Sequence, residues 1–275
     1  MFSFFKKKQE PKEAPKTPAT KTASSTKSNE EWANRKGELG EYKINIQLDQ
    51  FPRNYKHLSD LMIENVKSST GYSQIDHIII TPYGLFVIET KNYQGMIYGG
   101  KDRKTWLVNG KFKMMSPLVQ NYGHIHAVKK IIDSIYHDYF ISMVSFTKRC
   151  TFKIDEELRK ISSNELVVYD IELTEFINRK IAIHKLQNKE PFLSDLEIDS
   201  LYQKLTEANI SDPTIRKQHV ENIKMAKDEN VKKDSESSNC IICQKPVSDK
   251  VKSFCLSNKK FNGEIYCYEH QRDIK

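Results

Sequence analysis

Two carboxylates and an amine stand out for what they could do together. Asp76 lies in the β-branched run Ser73 to Thr81, and Glu89 and Lys91 close the next run, Leu85 to Lys91. Thr81-Pro82-Tyr83-Gly84 joins them, with Pro second and Gly fourth as a type I turn prefers. If that turn pairs Thr81 with Gly84, Asp76 stands directly across from Glu89, and strand alternation brings Gln74 and Lys91 to the same face. Like charges directly opposed in an antiparallel pair are destabilising. At ~5 Å and an effective dielectric of about 20 the repulsion is roughly 3 kcal/mol. Lys91 offsets part of this; a divalent cation would offset more. Hard carboxylate oxygens suit Mg2+, which commonly takes one or two of them plus waters and substrate phosphate. Two plainer readings compete: a three-residue loop would shift the register by one, and Glu89 with Lys91 also fits a solvated face. The flanks Ile78-Ile79-Ile80 and Leu85-Phe86-Val87-Ile88 argue for a buried sheet instead, where ionisable clusters are unusual.

A second group of chemistry-bearing residues lies near the C-terminus. Cys240-x2-Cys243 and Cys267-x2-His270 are two knuckle-like pairs 23 residues apart, with Cys255 midway. Paired ligands with two-residue gaps fit a closed structural zinc site. A stretch of 36 residues, Cys240 to Lys275, has too little core to fold alone, and Zn2+ supplies ~10–16 kcal/mol in peptides of this kind. Five candidates compete for four places; Cys240, Cys243, Cys267 and His270 are the expected ligands, with Cys255 the substitute. Cys150 reads as a packed thiol.

The chain has 275 residues with 38% hydrophobic and 29% charged side chains. That length allows one or two domains with a sizeable core. No apolar run nears the ~20 residues of a membrane span. Met1 to Phe5 followed by three lysines lacks an h-region, so no secretory signal is expected. Five cysteines, four of them in the last 36 residues, suggest a reduced, cytoplasmic protein with a metal site, not a disulfide scaffold. The net charge of +8 comes from the ends: residues 1–30 carry 7 Lys against 3 acids, and 214–275 carry 13 basic against 9 acidic residues. A uniformly basic nucleic-acid coat is therefore disfavoured, although basic flanks raise affinity for a polyanion. They also serve solubility alone.

The elements that must hold these residues follow from periodicity. Structure is expected to begin near Glu30, after a Pro-punctuated polar tail. Leu39, Tyr42 and Ile46 have helical spacing. Strands are expected over Leu61 to Val66, Ser73 to Thr81, Leu85 to Lys91 and Met96 to Tyr98. A hairpin turning at Asn109-Gly110 is expected within Trp106 to Lys113. Ser116-Pro117 reads as an N-cap and first-turn proline of a helix presenting Leu118, Tyr122, Ile125, Ile132 and Ile135. Ile141 to Phe146 and Leu166 to Tyr169 read as strands; Ile171 to Ile183, Ser194 to Ala208 and Pro213 to Lys227 read as helices.

In wording and order the residues resemble the nuclease-related domain (NERD) family. The resemblance rests on Gly37-Glu38-Leu39-Gly40-Glu41, Gln74-Ile75-Asp76-His77, Gly84 through Asn92, Gly95-Met96-Ile97-Tyr98-Gly99, and Gln120 with His124, across about Lys36 to Ile135. This family is grouped with the PD-(D/E)xK nucleases. The resemblance implies a restriction-endonuclease-like α-β-β-β-α-β core with a mixed sheet, and metal-dependent cleavage of nucleic acid. It gives Asp76 and Glu89 the metal, Lys91 the attacking water and developing charge, and Glu41 (or Glu38) a helix glutamate's contact with metal or water. It places Gln120 beside the site. Ser116-Pro117 stands where Asn-Pro is more usual, and Ile75 where the superfamily pattern has Pro. His77 should face away; His124 faces the cleft more readily than His126.

The expectation is an α/β protein: a disordered basic tail at 1–29, a nuclease-like core at 30–150, an α/β extension at 151–227, a linker at 228–239 and a zinc-binding module at 240–275. The expected function is Mg2+- or Mn2+-dependent endonucleolytic cleavage of DNA, with RNA possible. The alternative is a non-catalytic nucleic-acid binder, or an adaptor that recruits a protein through the zinc module. Oligomeric state is not legible.

Overall fold

The computed structural model describes residues 23–236 and 239–274. The expected tail at 1–29 falls outside the described residues as far as residue 22. From Ala23 the chain is already helical, seven residues earlier than Glu30.

The order of elements is α1 (Ala23–Leu48), β1 (Lys56–Glu64), β2 (Tyr72–Thr81), β3 (Gly84–Lys91), β4 (Gly95–Tyr98), β5 (Thr105–Val108), β6 (Phe112–Met115), α2 (Pro117–Val128), β7 (Phe140–Phe146), β8 (Cys150–Lys153), β9 (Glu165–Tyr169), α3 (Leu173–Gln187), α4 (Asp195–Glu207), α5 (Pro213–Glu236) and α6 (Asp249–Ser257). Residues 228–236, expected as linker, continue α5. The main sheet has the order β1-β2-β3-β7-β9. β1, β2 and β3 run antiparallel, while β7 and β9 join parallel to β3. This is the α-β-β-β-α-β path with a mixed sheet, and β9 of the 151–227 extension widens it.

Alternation along the strands builds one core on each face. Leu85 and Val87 of β3 pack with Ala127 and Val128 of α2 and with Ile198, Leu201 and Leu205 of α4. Phe86 and Ile88 turn the other way, onto Ile44 and Leu48 of α1 and Leu173, Phe176 and Ile177 of α3. Each such fully buried side chain stabilises by ~1.5–3 kcal/mol. A second sheet, β6-β5-β4-β8, forms between β3 and β9 in sequence. Its Ile97 and Trp106 pack on Val144 and Phe146 of β7. A Cβ on Gly99 would lie 2.2 Å from the Trp106 ring, so glycine is required there.

The expected turns hold. Thr81 pairs with Gly84 and the register continues to His77 with Ile88. Asn109 and Gly110 both have positive φ, 54° and 67°, as a two-residue hairpin requires. The Ser116 side chain caps α2 by accepting from the Val119 N–H. Two helix faces are corrected. Leu39, Tyr42 and Ile46 are exposed, and α1 buries Ile44 and Leu48 instead. The second predicted helix ends at Val128, short of Ile132 and Ile135; Tyr122 and Ile135 are exposed.

Candidate active site

Asp76 sits at a break in two ladders. β1 pairs Ser59 with His77 and Leu61 with Ile75, skipping Asp60, whose φ of 54° takes it out of strand geometry. On the other side the β2–β3 pairing ends at His77–Ile88. In place of a ladder bond, Thr90 donates its backbone N–H and its hydroxyl to Asp76 Oδ2, at 2.6 and 2.7 Å. The carboxylate is thereby fixed beside the end of β3.

From β3, Glu89 is 2% exposed and Lys91 lies close above it. The Lys91 ammonium donates to Glu89 Oε1 and, at 3.0 Å, to Gln120 Oε1 of α2. His124, one turn further along α2, brings Nδ1 to 3.7 Å from Glu89 Oε2. Both of those atoms are buried and neither has a hydrogen-bond partner. Glu41 reaches the same place from α1. A cavity of about 750 Å³ is lined by Glu41, Asp76, Lys91, Gln120 and His124, with Glu89 behind them. All five residues expected at the site are therefore brought together.

The electrostatics follow from burial of like charges. Burial and the Asp76, Asp60 and Glu38 carboxylates push Glu41 up to about 7. Burial and the Glu89 charge push Asp76 up to about 6, against the Thr90 hydrogen bonds. Glu89 is raised as well, by burial. Burial lowers Lys91, but Glu89 and Asp76 outweigh it, so its affinity for the proton rises and it is a cation at neutral pH. Burial holds His124 down to about 4, as a neutral ring. Three carboxylates thus crowd one ammonium. The unpartnered carboxylate oxygen is the kind of donor that accepts a hard cation, and the neutral ring nitrogen beside it can hydrogen-bond a water of that cation.

The nuclease-related domain family matches residues 36–147. An uncharacterized protein of Bacillus anthracis, pXO1-01, is 31% identical over 189 residues, which is 67% of this chain and 82% of that protein. The chain belongs to the nuclease-related domain family. Among solved structures, a protein of unknown function, AF1548, aligns at 9% identity over 62% of this chain and 97% of its own, with a TM-score of 0.26.

The NERD match takes in Glu41, Asp76, Glu89, Lys91 and Gln120 and stops before the cysteines. Those form a separate cluster. One donor atom each of Cys240, Cys243, Cys267 and His270 lies within 4.8 Å of the others. His270 Nδ1 is 3.3 Å from Cys240 Sγ and 3.2 Å from Cys267 Sγ. Burial raises the Cys240 thiol, but N–H groups of Cys243, Cys267 and Ile242 together with His270 outweigh it and bring it to about 6. This Cys3His cluster can hold a zinc ion. Cys255 stays outside it, bonded to Tyr266 and Gln271.

His77 turns away from the cleft, with Nδ1 2.8 Å from the Ser59 hydroxyl. His126 is exposed, its ring 4.3 Å from that of Tyr122. Glu38 is exposed, and Glu41 lines the cavity. Three positioning residues were not foreseen. Thr90 lay unnoticed between two charged residues. Asn121, adjacent to Gln120, is buried and donates to the Val87 carbonyl and the Ser142 hydroxyl, pinning α2 to the sheet. Arg216 of α5 donates to Asp60 Oδ2 at 2.6 Å and to the Asp60 carbonyl at 2.9 Å. A polar residue breaking an apolar helix face was the signal available for Asn121; for Arg216 there was none.

Proposed function

We propose that this chain is a divalent-metal-dependent endonuclease of DNA. The observation that carries the reading is the convergence of Asp76 and Lys91 on the wall of a cavity shared with Glu41 and Gln120, with Glu89 paired to Lys91 just behind that wall. Asp76 and Glu89 would hold Mg2+ or Mn2+. When bound, that ion neutralises the phosphodiester and lowers the pKa of a coordinated water. Lys91 stays protonated, so its part is to stabilise charge on the phosphate oxygens and orient the nucleophile rather than to act as base. Gln120 aims the ammonium. Glu41, ionising near neutrality, takes a proton from or positions water at the open side of the cavity.

No helix among the described residues is long and apolar enough to cross a membrane. The Cys3His cluster we assign to structural Zn2+, in a module separate from the nuclease domain. Cysteines gathered with a histidine into one metal-ligand set, as Cys240, Cys243 and Cys267 are with His270, favour a reducing, cytoplasmic setting. The exposed Ile241 and Ile242 between the first two ligands favour a docking role for that module, with a protein partner.

Purified protein assayed on supercoiled plasmid with Mg2+ or Mn2+, beside Asp76→Ala and Lys91→Ala, tests the reading. Nicking by the unaltered chain alone supports it. Equal nicking by all three marks a contaminant and overturns it.

A further inference from the structure

One stretch of the cavity wall has no part in the chemistry above. Val119, Tyr122 and His126 fall at i, i+3 and i+7 on α2, with Met115 just before the helix, and all four line the cavity that holds Asp76 and Lys91. They are not core residues: Met115 is 57% exposed, Val119 44% and Tyr122 59%. The Tyr122 and His126 rings lie 4.3 Å apart but tilted by 59°, so His126 braces the Tyr122 ring rather than extending its face. The facing rim carries Lys67, Ser68, Ser69, Thr70 and Lys130. The lysines acting on His126 there are Lys129, Lys67 and Lys130. An aromatic platform thus borders a basic, hydroxyl-rich rim on the same cleft.

We infer that this cleft takes an unpaired strand, one base of which stacks on Tyr122 while Lys67 and Lys130 hold phosphates beside the one that is cut. The inference rests on the nuclease reading and names its substrate class. In an intact duplex the base faces are already stacked on one another, so an exposed ring beside the scissile phosphate has no base face to meet. In a single strand, flap or gap it has one, and stacking on an aromatic side chain is sequence-tolerant because every base offers a π-face. Apolar Met115 and Val119 extend the contact without adding charge. The lysines supply the salt-dependent attraction that any phosphate chain requires.

The test uses the full chain, with Ca2+ in place of Mg2+ to hold substrate uncut. Fluorescence anisotropy would follow a labelled oligothymidylate of about 15 nucleotides, a blunt hairpin duplex and an oligouridylate of equal length. Expected are tighter binding of oligothymidylate than of the duplex, and a loss of about tenfold on oligothymidylate for Tyr122→Ala but not Tyr122→Phe. Duplex binding should not respond to either change. A duplex bound as tightly as the single strand, or equal losses on both for Tyr122→Ala, overturns the inference. Oligouridylate bound as tightly supports the unpaired-strand platform and overturns the restriction to DNA. Strand binding that depends on Tyr122, with no cleavage in Mg2+ or Mn2+, overturns the hydrolytic reading and leaves this one standing. Duplex cleavage unaffected by Tyr122→Ala does the reverse.

Discussion

Thr90 places its backbone N–H and its hydroxyl on the same oxygen of Asp76, at 2.6 and 2.7 Å. That double bond of donors substitutes for the ladder pairing that β2 and β3 lose beyond His77 and Ile88. It leaves Asp76 Oδ1 free of Thr90 and fixes the carboxylate's direction. Removing the hydroxyl while keeping the shape, in Thr90→Val, should raise the Mg2+ concentration for half-maximal cleavage by ~10-fold or more, as loss of partners to metal ligands does. Thr90→Ser should restore most of it. Metal titration of initial rates checks this; an unchanged metal requirement in Thr90→Val would show that the backbone N–H suffices.

Glu41 titrates near neutrality because it is buried among Asp76, Asp60 and Glu38. Its folded value, about 7, lies above its ordinary 4.5. The folded state therefore holds a proton that the unfolded chain releases, and the stability this contributes is full below pH 4.5 and lost as pH rises through 7. Buried His77 and His124, both held down to about 4, act in the opposite sense: their contribution is present above pH 6.5 and lost as pH falls. The difference between Glu41→Gln and the unaltered protein isolates Glu41. Without metal, Glu41→Gln should gain on the parent between pH 4.5 and 8, by about 1–2 kcal/mol once solvent screening of this part-exposed carboxyl is allowed for. Denaturant unfolding across that range measures it. A constant difference would show that Glu41 ionises normally.

Lys91 is shared by Glu89 and Gln120. Lys91→Ala should lower kcat by ~100-fold or more, since it removes the cation at the reacting phosphate. Gln120→Leu removes only the group that aims it and should cost ~10-fold in kcat with little change in KM. Single-turnover kinetics on one oligonucleotide separate the two. A Gln120→Leu effect confined to KM would assign Gln120 to substrate binding.

The Cys3His cluster predicts one zinc per chain. Cys243→Ser should lose that zinc and Cys255→Ser should keep it, because Cys255 bonds Tyr266 and Gln271 and lies outside the cluster. Chelation should unfold the C-terminal module, whose folding depends on the metal, while the main sheet keeps its circular dichroism. Metal analysis of the two variants decides between the five candidate ligands.

The strand register was legible because Thr81-Pro82-Tyr83-Gly84 suits a tight turn pairing Thr81 with Gly84, and the apolar runs on both sides favoured it over the shift by one that a three-residue loop would give. That register put Asp76 and Glu89 one step past His77 and Ile88, where the β2–β3 pairing ends, and two-residue gaps singled out the three cysteines and the histidine that cluster. The helix faces were less legible. Leu39, Tyr42 and Ile46 have the spacing of a buried stripe, yet α1 turns Ile44 and Leu48 to the sheet and Glu41 to the cleft. Helical periodicity reports that a stripe exists; which stripe meets the sheet depends on long-range packing. The second sheet was hidden for the same reason: β4 pairs with β8 some fifty residues later, Gly95 opposite Cys150. Thr90 and Arg216 act through contacts that no local pattern encodes.

The most direct test is a crystal soaked in Mn2+ and measured for anomalous scattering. The account predicts one peak within coordination distance of both the Asp76 and Glu89 carboxylates, with the Lys91 ammonium turned toward the open cavity. A peak elsewhere, or none while zinc is seen at the four C-terminal ligands, would contradict it.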